Sequence, residues 1–134
     1  MLNAGESASI PANDERVARD VVDAGLKVHM ALGPGLLESA YEHCLAYELS
    51  QRGHHIVRQL ELPIRYDGIE LDAGYRIDLL IDGVVIVEGK SVEALAPIHH
   101  AQLLTYLKLS QRRIGFLMNF NVKLFKEGLR RLVL

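Results

Sequence analysis

Tryptophan and long apolar runs are what this chain lacks, and it has little cysteine. Cys44 is the only cysteine in 134 residues, so no internal disulfide can form, and a thiolate metal cluster within one chain is not expected. Cys44 reads instead as a small core residue. No apolar run approaches the roughly 18 residues that a membrane span needs. The segment Met1-Leu2-Asn3-Ala4-Gly5-Glu6 does not show the basic-then-apolar order of a secretory signal. The expectation is a soluble, cytoplasmic protein with no membrane partner. Net charge is also small, −2 with a pI near 6.3, a poor basis for coating nucleic acid by bulk electrostatics. Glycine-rich phosphate loop, nucleophile elbow and dinucleotide fingerprint are all missing. His54-His55 and His99-His100 are adjacent pairs whose members point apart on a strand or helix, so no zinc site is read.

Charge is unevenly distributed. From Lys108 onward, Lys108, Arg112, Arg113, Lys123, Lys126, Arg130 and Arg131 face only Glu127, a net +6 against −8 for the rest. That permits a basic face able to track phosphates, and equally a solvated rim. At 134 residues the chain suits one domain, expected over 13–134 behind a loose leader at 1–12. Asn13 is expected to cap a helix running to about Leu32, with Val17, Val21, Ala24 and Val28 as its inward stripe. Gly33-Pro34-Gly35 breaks the pattern, and Pro34 is expected to open a second helix to about Gln51, ended by Gly53. The period then becomes two from His55 to Lys90, with Asp67-Gly68 as a turn. Pro97 opens a third helix to about Ser110, and strands at 114–120 and 128–133 close the chain. The third helix reads as a crossover between parallel strands of a helix-flanked sheet.

Acids interrupt the most apolar of these strands. Asp78 lies within Tyr75-Arg76-Ile77-Asp78-Leu79-Leu80-Ile81, and Glu88 and Lys90 close Val84-Val85-Ile86-Val87-Glu88-Gly89-Lys90. A buried carboxylate costs several kcal/mol unless a cation compensates it. Whether the two acids share a face depends on the loop at Asp82-Gly83. A two-residue loop sends them to opposite faces; a three-residue loop, Ile81-Asp82-Gly83, sets Asp78 opposite Ile86 and makes the acids diagonal neighbours, roughly 7–8 Å apart. The odd loop is the expectation. Two carboxylates, a backbone carbonyl and water suit Mg²⁺ or Mn²⁺, and Lys90 can orient the attacking water and offset charge on a phosphate. Glu38 and Tyr41 share a helical stripe with Leu45 and Leu49, which points Glu38 inward. Gln102 and Tyr106, four apart, project side by side.

Gly35-x-x-Glu38-x-x-Tyr41, Tyr75-Arg76-Ile77-Asp78, Val87-Glu88-Gly89-Lys90, Gln102-Leu103-Leu104-Thr105-Tyr106 and Asn119-Phe120 together resemble the GxxExxY protein family, within the PD-(D/E)XK nuclease superfamily. The resemblance spans roughly residues 14 to 134. It implies an α/β, restriction-endonuclease-like fold, a mixed β-sheet flanked by α-helices, and Mg²⁺-dependent phosphodiester hydrolysis. By position, Asp78 and Glu88 resemble the metal-binding acids, with the Gly89 backbone carbonyl a further ligand and Glu38 an additional acid. Lys90 resembles the catalytic lysine. Gln102 and Tyr106 match a Gln-x-x-x-Tyr motif, and with Tyr41 would contact nucleic acid or support the site. Gly89 departs from the pattern, since an aliphatic residue is more usual there. The implied partner is nucleic acid, DNA foremost, and a homodimer is compatible with 15.0 kDa. The rival reading is a catalytically silent nucleic-acid-binding or assembly module that retains the nuclease fold.

Overall fold

A computed structural model describes residues 9–134, so part of the expected leader lies outside the described residues. The element order is α1 (Ala12–Leu32), α2 (Glu38–Gln51), β1 (Ile56–Glu61), β2 (Ile64–Tyr66), β3 (Ile69–Leu71), β4 (Arg76–Ile81), β5 (Val85–Lys90), α3 (Pro97–Ser110), β6 (Ile114–Asn119), α4 (Phe125–Gly128) and β7 (Leu129–Val133). Five strands form a sheet in the order β1-β4-β5-β6-β7, and β2-β3 is a separate hairpin. Among the described strands only β5 and β6 pair parallel, across α3, as the crossover reading requires. The architecture is that of a restriction-endonuclease-like mixed sheet flanked by helices.

Alternation along the strands sorts the core into two layers. Leu79, Ile81, Val85, Val87, Ile114, Phe116 and Met118 pack beneath α1 and α2, against Val21, Ala24, Leu45 and Leu49. Cys44, half-buried, packs against this layer as a core residue. Leu80, Ile86, Leu117 and Leu132 face α3 and meet Leu103 and Leu107. Burying each such side chain contributes about 1.5–3 kcal/mol, which is enough to fix strand register.

Two helix starts differ from expectation. Asn13 does not cap α1; Pro11 stands at the cap with no side-chain bond, and the Asn13 side chain accepts from Arg16 one turn on. Pro34 does not open α2, which begins at Glu38 behind an extended Leu37. The reason is Tyr41. Its hydroxyl donates to the Gly33 carbonyl at 2.6 Å and accepts from the Leu36 amide at 3.1 Å, holding 33–36 as a loop. Gly35, at φ 103°, takes a conformation that other residues rarely adopt.

The short helix α4 has no signal in the hydrophobic pattern. It depends on Gly128, where an added Cβ would lie 2.0 Å from the Asn119 carbonyl oxygen. Only glycine lets the chain pass so close to β6 before pairing as β7.

Candidate active site

The hairpin joining β4 to β5 decides where the acids go. Its register is Leu79↔Val87, Leu80↔Ile86 and Ile81↔Val85, leaving a three-residue loop, Asp82-Gly83-Val84. The loop is odd, as expected, but lies one residue later. Ile81 is fully buried, so the core keeps it in the strand. Continued by one step, this register sets Asp78 across from Glu88, closer than the expected diagonal.

Backbone pairing gives way at that step to side chains. The Asp78 amide donates to Glu88 Oε2 at 2.8 Å, and the Gly89 amide donates to Asp78 Oδ2 at 3.0 Å. Each acid is thus bound to the strand carrying the other. The alternation of side chains also slips here. Ile77 packs on the α3 side although Leu79 lies on the other, and in β1 Val57 and Leu60 both face α3. Both strands skip one rung, between Arg58↔Leu79 and Leu60↔Ile77. Gln59, at the skipped position, is left-handed at φ 51°, a conformation costing about 1–3 kcal/mol for a non-glycine residue. Its amide nitrogen donates to Glu42 and, at 3.3 Å, to Asp78 Oδ1.

Asp78 and Gly89 line a cavity of about 730 Å³ together with Glu38, Glu42, Gln59 and Ser91. Glu38 is exposed at the first residue of α2, not turned into the core as its stripe suggested. It accepts from the Ser91 amide at 3.2 Å. Ser91 Oγ in turn donates to the Leu36 carbonyl at 2.6 Å, tying the chain after Lys90 to the start of α2. Asn119 holds the same segment, accepting from the Val92 amide and donating to its carbonyl. Glu42 is the acid that sequence reasoning missed. It lies one turn beyond Glu38 and takes Arg58 at 2.9 Å; the i, i+4 spacing from Glu38 was its available signal.

The site is electrostatically unbalanced. Burial raises the Glu88 pKa to about 8, and the Asp78 charge adds to the rise. Burial also raises Asp78, opposed by the Gly89 amide bond and reinforced by Glu42. Lys90, half-buried at the end of β5, lowers both without cancelling the effect of burial. Desolvated acids close together resist double ionisation, and a compensating cation would relieve them.

Other residues fall elsewhere. Neither Glu88 nor Lys90 lines the cavity. Tyr41 is buried, stacked on Phe120 at 4.5 Å between ring centroids, and shapes the loop instead of meeting the cavity. Gln102 and Tyr106 line a second cavity of about 400 Å³ beside Tyr75. Burial raises the Tyr106 pKa, and the charges of Glu88 and Asp78 add to it. The seven C-terminal cations do not gather at the acids. None lines the larger cavity, and Arg112, Arg113 and Arg131 are bound to Gly83, Leu134 and Glu15 respectively.

A family model of the PD-(D/E)XK nuclease superfamily matches residues 15–132. The chain belongs to that superfamily. No curated protein and no solved structure matches the chain. Superfamily membership suggests nuclease activity on nucleic acid, and PD-(D/E)XK nucleases generally use divalent metals. The chemistry of the donors suits such an ion: carboxylates from Asp78 and Glu88 and the carbonyl of Gly89 are all hard oxygen ligands. Among the described residues no three His, Cys, Asp or Glu converge as a ready cluster. A site here therefore needs the carbonyl and water, as Mg²⁺ sites commonly do. No helix among the described residues is long and apolar enough to cross a membrane.

Proposed function

We infer that this PD-(D/E)XK protein is a divalent-metal-dependent nuclease of the GxxExxY type, acting in the cytoplasm on nucleic acid, DNA foremost. The observation that carries the reading is the pair Asp78 and Glu88, cross-bonded through the amides of Asp78 and Gly89, both raised in pKa by burial, with half-buried Asp78 lining an open cavity and Glu88 buried beside it. A fold keeps such a costly pair when a cation is meant to share it. Asp78, Glu88 and the Gly89 carbonyl would hold Mg²⁺ or Mn²⁺, with Glu38 or Glu42 reaching it through water. A bound ion would supply Lewis-acid polarisation of the phosphate and a more acidic water.

The chain's own residues do the rest. Lys90 directs the attacking water and offsets charge on the phosphate as the water oxygen bonds to phosphorus, its proton passing to solvent, and the P–O3′ bond breaks, the departing O3′ taking up a proton from solvent. The products are a 5′-phosphate and a 3′-hydroxyl. Gln59 bridges Asp78 and Glu42 by donating its amide to both, and the Ser91–Glu38 and Asn119–Val92 bonds fix the chain beyond Lys90.

Oligonucleotide cleavage with Mg²⁺ or Mn²⁺ tests this reading. Asp78→Asn and Lys90→Ala should each lower the rate by at least about 10²–10³-fold with the circular dichroism spectrum unchanged. Equal cleavage by wild type and Lys90→Ala removes the role given to the lysine.

The silent-module reading keeps one observation in its favour: neither Glu88 nor Lys90 lines the cavity. Calorimetry separates the two. The nuclease reading requires Mn²⁺ binding that Asp78→Asn abolishes; salt-sensitive nucleic-acid binding without any metal binding favours the module.

A further inference from the structure

The β2–β3 hairpin carries an apolar face that the described residues leave largely uncovered. Its register, Ile64↔Leu71 and Tyr66↔Ile69, puts four apolar side chains on one side. Tyr66, Ile69 and Leu71 are 73%, 58% and 50% exposed. A two-stranded ribbon alone is marginal in water. This one stands apart from the main sheet, shaped by Asp67 and Gly68, both left-handed at φ 50° and 76°. Beside it runs the 400 Å³ groove, walled mainly by Ile64, Tyr75, Ile98 and Leu109, with Gln102 and Tyr106 also in its lining. A protruding apolar ribbon and an apolar slot thus lie next to each other on one face.

Charge decides what fits there. Residues 61–72 carry Glu61, Asp67, Glu70 and Asp72 against Arg65 alone, a net −3, which repels a phosphate chain. Helix α3, the other wall, has no carboxylate; its Lys108, His99 and His100 lie outside the groove lining. We propose that this face binds a second copy of the chain about a two-fold axis, each hairpin seating Tyr66, Ile69 and Leu71 in the groove of the other. A two-fold contact needs one patch complementary to itself. Here the acidic ribbon of each copy meets the acid-free helix of its partner, and each projection meets a slot. The acid pair lies outside this interface, although Gln102 and Tyr106 line the groove.

Sedimentation equilibrium of the full chain tests the proposal. The expected result is a reversible species of twice 15.0 kDa. Ile69→Lys on the ribbon and Ile98→Lys on the groove side should each weaken association about 30-fold or more. Both positions are exposed, so thermal midpoint and circular dichroism should hold. A wild type that stays monomeric up to about 100 μM, or a dimer that both substitutions leave intact, overturns the proposal. So does oligonucleotide binding lost in Ile69→Lys while the mass stays that of one chain, which would give the face to nucleic acid.

Discussion

The β4–β5 hairpin holds acids at both ends, and the two ends treat them in opposite ways. At the turn, Asp82 accepts from the His55 amide at 2.7 Å and from His54 at 2.6 Å. His54 also binds Asp20, whose other oxygen takes Arg52 at 2.6 Å. Asp82 and Asp20 are both held below their usual pKa, and His54 is raised by the two aspartates against the effect of burial. At the open end, Asp78 and Glu88 have amides and one neighbouring lysine, and both are raised. Carboxylates matched with cations fasten α1, β1 and the hairpin together. Carboxylates left short of cations are poised to take one.

Supplying the missing cation should break the contrast most strongly. Saturating Mn²⁺ at neutral pH is expected to stabilise the wild type by about 2–4 kcal/mol, the linkage expected at 100- to 1,000-fold excess over Kd. Asp78→Asn should lose that shift while His54→Asn keeps it, as read by thermal unfolding with and without chelator. An equal Mn²⁺ shift in Asp78→Asn would place the ion elsewhere.

Glu88→Gln sharpens the same comparison without metal. Glu88 ordinarily titrates near 4.5 and here near 8. A raised carboxyl gives its full stabilising contribution below the unfolded value and loses it as pH rises through the folded one. The metal-free wild type should therefore weaken between about pH 4.5 and 8. Glu88→Gln removes that loss and should be more stable than wild type at pH 8 by roughly 1–3 kcal/mol, with little gain at pH 4.5. Chelator-treated thermal melts at the two pH values measure it. A variant weaker at pH 8 would mean that Glu88 is ionised and satisfied.

These two ends were not equally legible in the sequence. Asp78 and Glu88 interrupt apolar runs, and burial of such runs is a local property, so the acid pair and its odd loop could be read directly. The core then moved the loop by one residue to keep Ile81. Glu42 and Gln59 were hidden because their role comes from a left-handed residue in β1 and a slip in alternation shared by two strands, neither of which has a compositional mark. His54 was dismissed as one of a pair pointing apart. Its ring meets acids 34 and 28 residues distant in sequence, contacts that only the packing of α1 and the β4–β5 turn creates. The C-terminal cations misled for the converse reason: charge counts give no partner, and several of these side chains bind backbone or a helix acid at the sheet's far edge. The helices and crossover were legible because period and Pro97 mark them; the starts at Ala12 and Glu38 were not, because Pro11 takes the α1 cap without a side-chain bond and Tyr41 holds 33–36 as a loop.

The turn end should respond more weakly and with a different pH signature. His54 has a raised pKa, so its contribution is complete below about 6.5 and fades as pH rises through the folded value; Asp20 and Asp82, lowered, contribute above about 3.8 and fade in acid. The pin is strongest between those limits. His54→Asn should cost about 1 kcal/mol at pH 6 and less at pH 9, by urea unfolding at each pH. The same loss at both values would mean a neutral His54 held by packing alone.

Arg52→Met is the mildest test and the one that isolates charge from shape. Arg52 joins Asp20, Asp23 and Glu48 at 2.6, 2.8 and 3.0 Å, spanning α1 and the end of α2. Asp23 is mostly exposed, so that arm is screened and contributes little. Methionine keeps most of the aliphatic stem against α1 while removing the guanidinium. The expected cost is about 0.5–1 kcal/mol at low ionic strength, shrinking in about 1 M salt, where the Debye length falls to about 3 Å. A loss that salt does not reduce would show that the stem, not the charge, joins the helices. The contrast between the two ends would then rest on His54 and its two aspartates alone.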